Sequence, residues 1–219
     1  MKTTFNRLSA PALLKTCALV AGIGMASMQA HAAGDGALYA KPPTANEAAV
    51  RLVNVGNSEV NATVGATNLA PVSPGSGGAF EKVQKGDYTA KVGSQSASVK
   101  LDGAQYYSLV STTSGAPQLV KDGPSTNKQK AVIRLQNLSD KPVALKTNSG
   151  KDVIATVQPK SSGEFAANPA KAQLALYEGD KKVKDLPEVA LERGSATVLF
   201  VTGSGGNLAP LWVKQPASE

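Results

Sequence analysis

The sequence predicts an all-β protein: two tandem small β-sandwiches, immunoglobulin-like or jelly-roll-like, joined by a short linker. Three observations predict it. Runs rich in Val, Thr, Leu and Tyr recur roughly every eight to twelve residues between clusters of Gly, Pro, Asn, Asp and Ser, the rhythm of strands and turns in a sandwich. The second half of the chain restarts the plan of the first. Hydrophobic residues make up 42% of the chain but aromatics only 5%. Two small aliphatic cores can be filled from that supply, whereas the stacking platforms of a nucleic-acid binder are scarce.

Residues 1–32 read as an export signal. Lys2, Arg7 and Lys15 precede an apolar run from Ala18 to Met28, and Ala30-His31-Ala32 forms a small-x-small cleavage site. The run is too short for a permanent membrane span. Leu14-Lys15-Thr16 ahead of Cys17 lacks the small-residue approach expected before a lipidated cysteine. The mature chain is therefore expected to start at Ala33 after export, with no later apolar stretch long enough to anchor it. Cleavage there would take three of the 23 basic residues and leave 20 against 16 acids, lowering the net charge from +7 to +4. It would also take the sole histidine, His31, and the sole cysteine, Cys17. What remains has no imidazole or thiol for Ser-His-Asp or Cys-His chemistry and no His or Cys metal ligand, so neither a metal nor another cofactor is expected. Without a disulfide, packing alone must supply stability.

Residues 33–47 form an extended N-terminal arm, too polar and proline-containing for a helix or a central strand, with Leu38 and Tyr39 as an apolar tag. Such an arm either lies along its own domain or reaches a partner by strand addition. The N-terminal sandwich is expected over 48–120. Its strands are predicted near Ala49 to Asn54, Glu59 to Val64, Ala79 to Val83, Tyr88 to Val92, Ala97 to Leu101 and Tyr106 to Ser111. Turns are expected at Gly56-Asn57, Lys85-Gly86-Asp87, Gly93-Ser94 and Asp102-Gly103, where left-handed backbone or Asx chemistry is cheap. Tyr88 after Lys85-Gly86-Asp87 resembles a tyrosine corner, in which the phenol bonds back to nearby backbone; a Tyr in a half-buried strand fits equally.

Residues 121–130, with Gly123-Pro124-Ser125-Thr126-Asn127, have linker composition. The C-terminal sandwich is expected over 131–219. It repeats landmarks of the first: Val50-Arg51-Leu52-Val53-Asn54 is echoed by Ile133-Arg134-Leu135-Gln136-Asn137, the Gly/Ser cluster before Phe80 by that before Phe165, and Ala116-Pro117-Gln118-Leu119-Val120-Lys121 by Ala209-Pro210-Leu211-Trp212-Val213-Lys214. The offsets of 83, 85 and 93 drift one way, as accumulated small insertions would make them. Two segments are ambiguous. Val132, Leu135 and Leu138 have helical spacing, and 170–178 consists of good helix formers, yet Ala172, Leu174 and Leu176 alternate. Both are assigned to strands, the first on its echo at Val50.

The Gly-rich strings at 74–78 and 203–206 lack both a following helix and the Lys-Ser or Lys-Thr of a phosphate loop. The acids Asp87, Asp102, Asp122, Asp140, Asp152 and Asp180 sit in predicted turns, where solvation explains them better than a paired glycosidase site does. Lys181, Lys182 and Lys184, or Lys121, Lys128 and Lys130, could meet an anionic surface, but short lysine runs also simply protect edge strands. The candidate partner-binding residues are Leu38, Tyr39, Lys181, Lys182, Lys184 and Trp212; no catalytic, cofactor-binding or metal residue is expected.

The signal followed by Gly36-Ala37-Leu38-Tyr39, the Val50–Asn54 opening, the Gly86-Asp87-Tyr88 turn and the overall length of 219 residues resemble the AlgF family, accessory proteins of the alginate O-acetylation machinery. That resemblance implies a periplasmic subunit working with a membrane-bound O-acyltransferase and SGNH-type acetyltransferase proteins, which together acetylate the 2- and 3-hydroxyls of mannuronate. Nucleic acid is not expected as a partner, for want of aromatic platforms. SGNH proteins carry their nucleophile in Gly-Asp-Ser; here Gly-Asp at 34, 86 and 179 is followed by Gly36, Tyr88 and Lys181. The expectation is a non-catalytic adaptor, the N-terminal half and its arm meeting one partner and the C-terminal half another. A polysaccharide-binding module that presents the anionic polymer is the alternative.

Overall fold

The computed structural model describes residues 41–112, 115–204 and 207–215. The proposed signal, Leu38 and Tyr39 lie outside the described residues. No helix occurs among the described residues, and none is therefore long and apolar enough to cross a membrane.

Among the described residues nineteen strands follow one another. The first repeat comprises β1 (Glu47–Asn54), β2 (Val60–Val64), β3 (Thr67–Val72), β4 (Ser76–Gly77), β5 (Glu81–Gln84), β6 (Gly86–Val92), β7 (Gln95–Leu101), β8 (Gln105–Val110) and β9 (Gln118–Lys121). The second comprises β10 (Ala131–Asn137), β11 (Val143–Thr147), β12 (Val153–Val157), β13 (Ser161–Ala167), β14 (Ala170–Ala172), β15 (Leu174–Glu178), β16 (Lys181–Asp185), β17 (Val189–Leu191), β18 (Ala196–Ser204) and β19 (Asn207–Lys214). In the first repeat one sheet runs β4-β1-β8-β9, with β5 also on β1, and its mate runs β3-β2-β6-β7. The second repeat copies both orders as β13-β10-β18-β19 and β12-β11-β15-β16, and adds the small pair β14-β17. In both, the opening strand pairs in parallel with the penultimate long strand: Val53 with Val110, and Gln136 with Phe200.

Each repeat closes over its own core. In the first, Val50 and Leu52 of β1 and Leu109 of β8 face Val64, Ala90, Val92 and Leu101 of the mate sheet. In the second, Ile133, Leu135 and Leu199 face Leu145, Val157 and Leu176. Fully burying side chains of this kind contributes roughly 1.5–3 kcal/mol each. The same buried asparagine ends each opening strand. Asn54 donates to the Ser58 and Val72 carbonyls and accepts from Gly56 N–H, while Asn137 donates to the Lys141 and Val157 carbonyls and accepts from Ser139 N–H. Each amide thus ties the strand end to the following turn and to the neighbouring strand.

The helical spacing around Val132 has a different origin. β1 from Ala48 to Asn54, β10 and β18 are buried on both faces, so polar alternation disappears and the run reads as continuously apolar. The alternation in 170–178 is realised as β14 and β15, broken at Gln173. Strands β3, β4 and β9 were not anticipated. Tyr88 does form the corner: its hydroxyl donates to the Gln84 carbonyl at 3.0 Å.

Candidate functional site

The second faces of β1, β8 and β9 and of β10, β18 and β19 pack against each other as a seam between the repeats. Its apolar part contains Val53, Val55, Val110 and Val120 from the first repeat and Leu138, Val198, Phe200, Leu211 and Val213 from the second. Val53, Val110, Val198 and Phe200 are wholly buried. Contact is close enough that Gly77 must be glycine, since a Cβ there would stand 2.7 Å from Cγ1 of Val213. The described residues of both repeats accordingly belong to one compact unit.

Beside the apolar cluster lies a buried charge cluster. Arg51 Nη2 donates to Asp122 Oδ2 at 2.7 Å, and Arg134 Nη1 donates to Asp122 Oδ1 at 3.0 Å. The two arginines occupy corresponding places in the echoed strands and share one carboxylate from the connecting segment. Ser108 Oγ donates to the same Asp122 Oδ2 at 2.5 Å and accepts from Arg51 Nε at 2.9 Å. Arg134 also donates to the Gly123 carbonyl at 2.8 Å and to the exposed Glu164. The Arg51 guanidinium lies 5.0 Å from the centre of the Phe80 ring, which stacks edge-on against Tyr106. Burial pushes the Arg51 guanidinium below its ordinary pKa, and the Asp122 charge pulls it back. Asp122 is 0% exposed, so the three side-chain donors to its carboxylate take the place of water.

The connecting residues are therefore not simply solvated: Asp122 and Ser125 are buried, and Asn127 Oδ1 accepts from Gln129 and Lys130 N–H in an Asx turn. A cleft of about 310 Å³ opens where the charge cluster reaches the surface, lined by Gln105, Tyr106, Lys121, Arg134, Ser162 and Glu164. Burial raises the Tyr106 phenol pKa. The cations there are already occupied, Arg134 by Asp122 and Glu164 and Lys121 by Asp102 at 3.4 Å. Among the described residues no group of three or more Asp, Glu, His or Cys is placed to hold a metal ion.

The sequence-predicted residues do not converge on this seam. Lys181, Lys182 and Lys184 lie exposed on the edge strand β16. Lys182 Nζ donates to Asp185 and to Asn148, both at 2.7 Å, and the Asp185 hydrogen bond raises its pKa. Trp212 is half-buried against the second core, with Nε1 enclosed and unpartnered by hydrogen bonds. The residues that organise the seam, Arg51, Ser108, Asp122 and Arg134, were outside the candidate list. Their signal was a cation repeated at one position of two otherwise apolar strands.

Residues 20–198 match the family described as Alginate O-acetyl transferase AlgF. The chain is 51% identical to alginate biosynthesis protein AlgF of Pseudomonas syringae pv. tomato over 216 residues, covering 98% of this chain and 97% of that protein. It is 52% identical to the protein of that name from Pseudomonas fluorescens over 207 residues, 94% of this chain and 95% of that one. A solved structure of the C-terminal domain of AlgF from P. aeruginosa is 55% identical and covers 40% of this chain and 100% of its own, with a TM-score of 0.38. Matching its relatives from end to end at about half of all positions, this chain of two β-repeats belongs to the AlgF family.

Proposed function

We propose that the protein is a non-catalytic periplasmic adaptor in the O-acetylation of alginate. It holds a membrane-bound O-acyltransferase on the acetyl-donor side close to SGNH-type acetyltransferase proteins on the polymer side. The observation that carries this reading is how the chain uses its buried charge. Asp122, the carboxylate best shielded from water, is fully engaged by Arg51, Arg134 and Ser108, and this joins the repeats instead of activating a nucleophile. Two sandwiches fixed together present outer faces at a constant separation, which raises the effective concentration of bound partners for one another. The leading segment with its small-x-small site supports export to the periplasm.

Deleting the gene tests the reading. Polymer is expected at normal yield but without acetyl groups, and full acetylation in the deletion strain would refute it. Partner surfaces are then mapped on the full chain. Lys181→Glu with Lys184→Glu is expected to weaken co-purification with one class of partner and spare the other; equal loss of both would contradict separate partner faces.

A further inference from the structure

The two repeats meet through equivalent positions. Aligning Arg51 with Arg134 places Val55 opposite Leu138 in the repeat correspondence. The parallel registers Val53 with Val110 and Gln136 with Phe200 make Val110 the counterpart of Phe200. The pairings Val110 with Gln118 and Phe200 with Leu211 then make Val120 the counterpart of Val213 and Asp122 that of Gln215. Backbone bonding agrees: Asp122 N–H donates to the Tyr106 carbonyl at 3.0 Å and Gln215 N–H to that of Ala196 at 2.8 Å. All three apolar pairs lie in the single cluster that fills the seam. Both arginines reach Asp122, and its counterpart Gln215, 0% exposed, donates to the Asp122 carbonyl at 3.2 Å.

An interface in which each side contributes the same patch is the isologous geometry of a two-fold homodimer. We propose that the seam is such an interface: each sandwich carries a docking face whose partner is a second sandwich of the same kind, and the chain is a fused pair. The first repeat's face, with Asp122 at its end, therefore fits the second repeat's face without needing residues 123–130 as a tether. The symmetry is broken at the charge cluster, with Ser108 in the place of Val198 and Asp122 in the place of Gln215, and at the rim of the apolar cluster, where Gln136 stands in the place of Val53 and Gln118 in that of Leu211. The faces of β1 and β10 are consumed within the molecule, so external partners must use the outer sheets and their edges.

The test uses the full mature chain with a protease recognition site inserted after Lys128, an exposed position in the connecting segment. After complete cleavage the halves are expected to travel as one particle of the uncut mass by light scattering, with no separation at about 1 µM, as for a stable interface. Val110→Asp and Phe200→Asp, at counterpart positions in the same cleavable chain, are each expected to release the halves while β circular dichroism persists. Separation of the cleaved wild-type halves at that concentration overturns the proposal. So does continued association when both folded variants carry the buried Asp. Should a variant not fold, the wild-type cleavage decides alone.

Discussion

Asp122 accepts hydrogen bonds from two guanidinium groups and a hydroxyl without exposure to water, so its removal is felt by three partners at once. Asp122→Asn is expected to lower stability by about 3–5 kcal/mol in urea titration, because two buried cations lose their counter-charge. Replacing Arg51, Asp122 and Arg134 together by apolar residues of similar volume should cost far less, since no unpaired charge remains. At the corner of the first repeat, Tyr88→Phe should cost about 1 kcal/mol, the net worth of one hydrogen bond. Acid sensitivity has local sources. The Tyr107 hydroxyl, and then Lys121, hold the Asp102 carboxyl below its ordinary value of 3.8, and Thr44 holds Glu47 below 4.5. For a carboxyl depressed in the folded state, the stabilisation is present above the unfolded pKa and disappears as pH falls through the folded one. Unfolding midpoints measured from pH 6 down to pH 2 should therefore fall less steeply for Asp102→Asn than for the wild type.

Strands with one wet face were legible as sequence because their pattern has period two. Tyr88–Val92 and Ala97–Leu101 alternate buried and exposed residues, and their expected positions fall within β6 and β7. Legibility failed for two opposite reasons. β10 is covered on both faces, so Val132, Leu135 and Leu138 imitated a helix; only the repeat identified it as a strand. β3 and β4 are short, proline- and glycine-flanked pieces whose pairing to β2 and β1 comes from tertiary contact and leaves little local pattern. The seam is half visible in the sequence, since the arginine recurs in the echoed Val50–Asn54 and Ile133–Asn137 but its shared acceptor lies outside both strands. At this scale Gly77→Val is a sharp probe of β4 against β19. It should loosen the seam by forcing Val213 aside, seen as increased hydrogen exchange in β9 and β19, while the cores of both sandwiches keep their protection.

Across the described residues, two sandwiches stacked through their inner sheets bring four large sheets and the small β14-β17 pair together, with the connecting segment anchored at Asp122 and Ser125. Such a body transmits position, which suits an adaptor that must place one protein beside another. The proposed adaptor role rests on contact in place of turnover. It is tested most directly by titrating the purified mature chain with a purified SGNH-type acetyltransferase of the same machinery while following an acetyl-ester reporter. Saturable one-to-one binding is expected, with no turnover by the chain alone. Turnover by the chain alone, abolished by a point substitution within it and unaccompanied by binding, would contradict it.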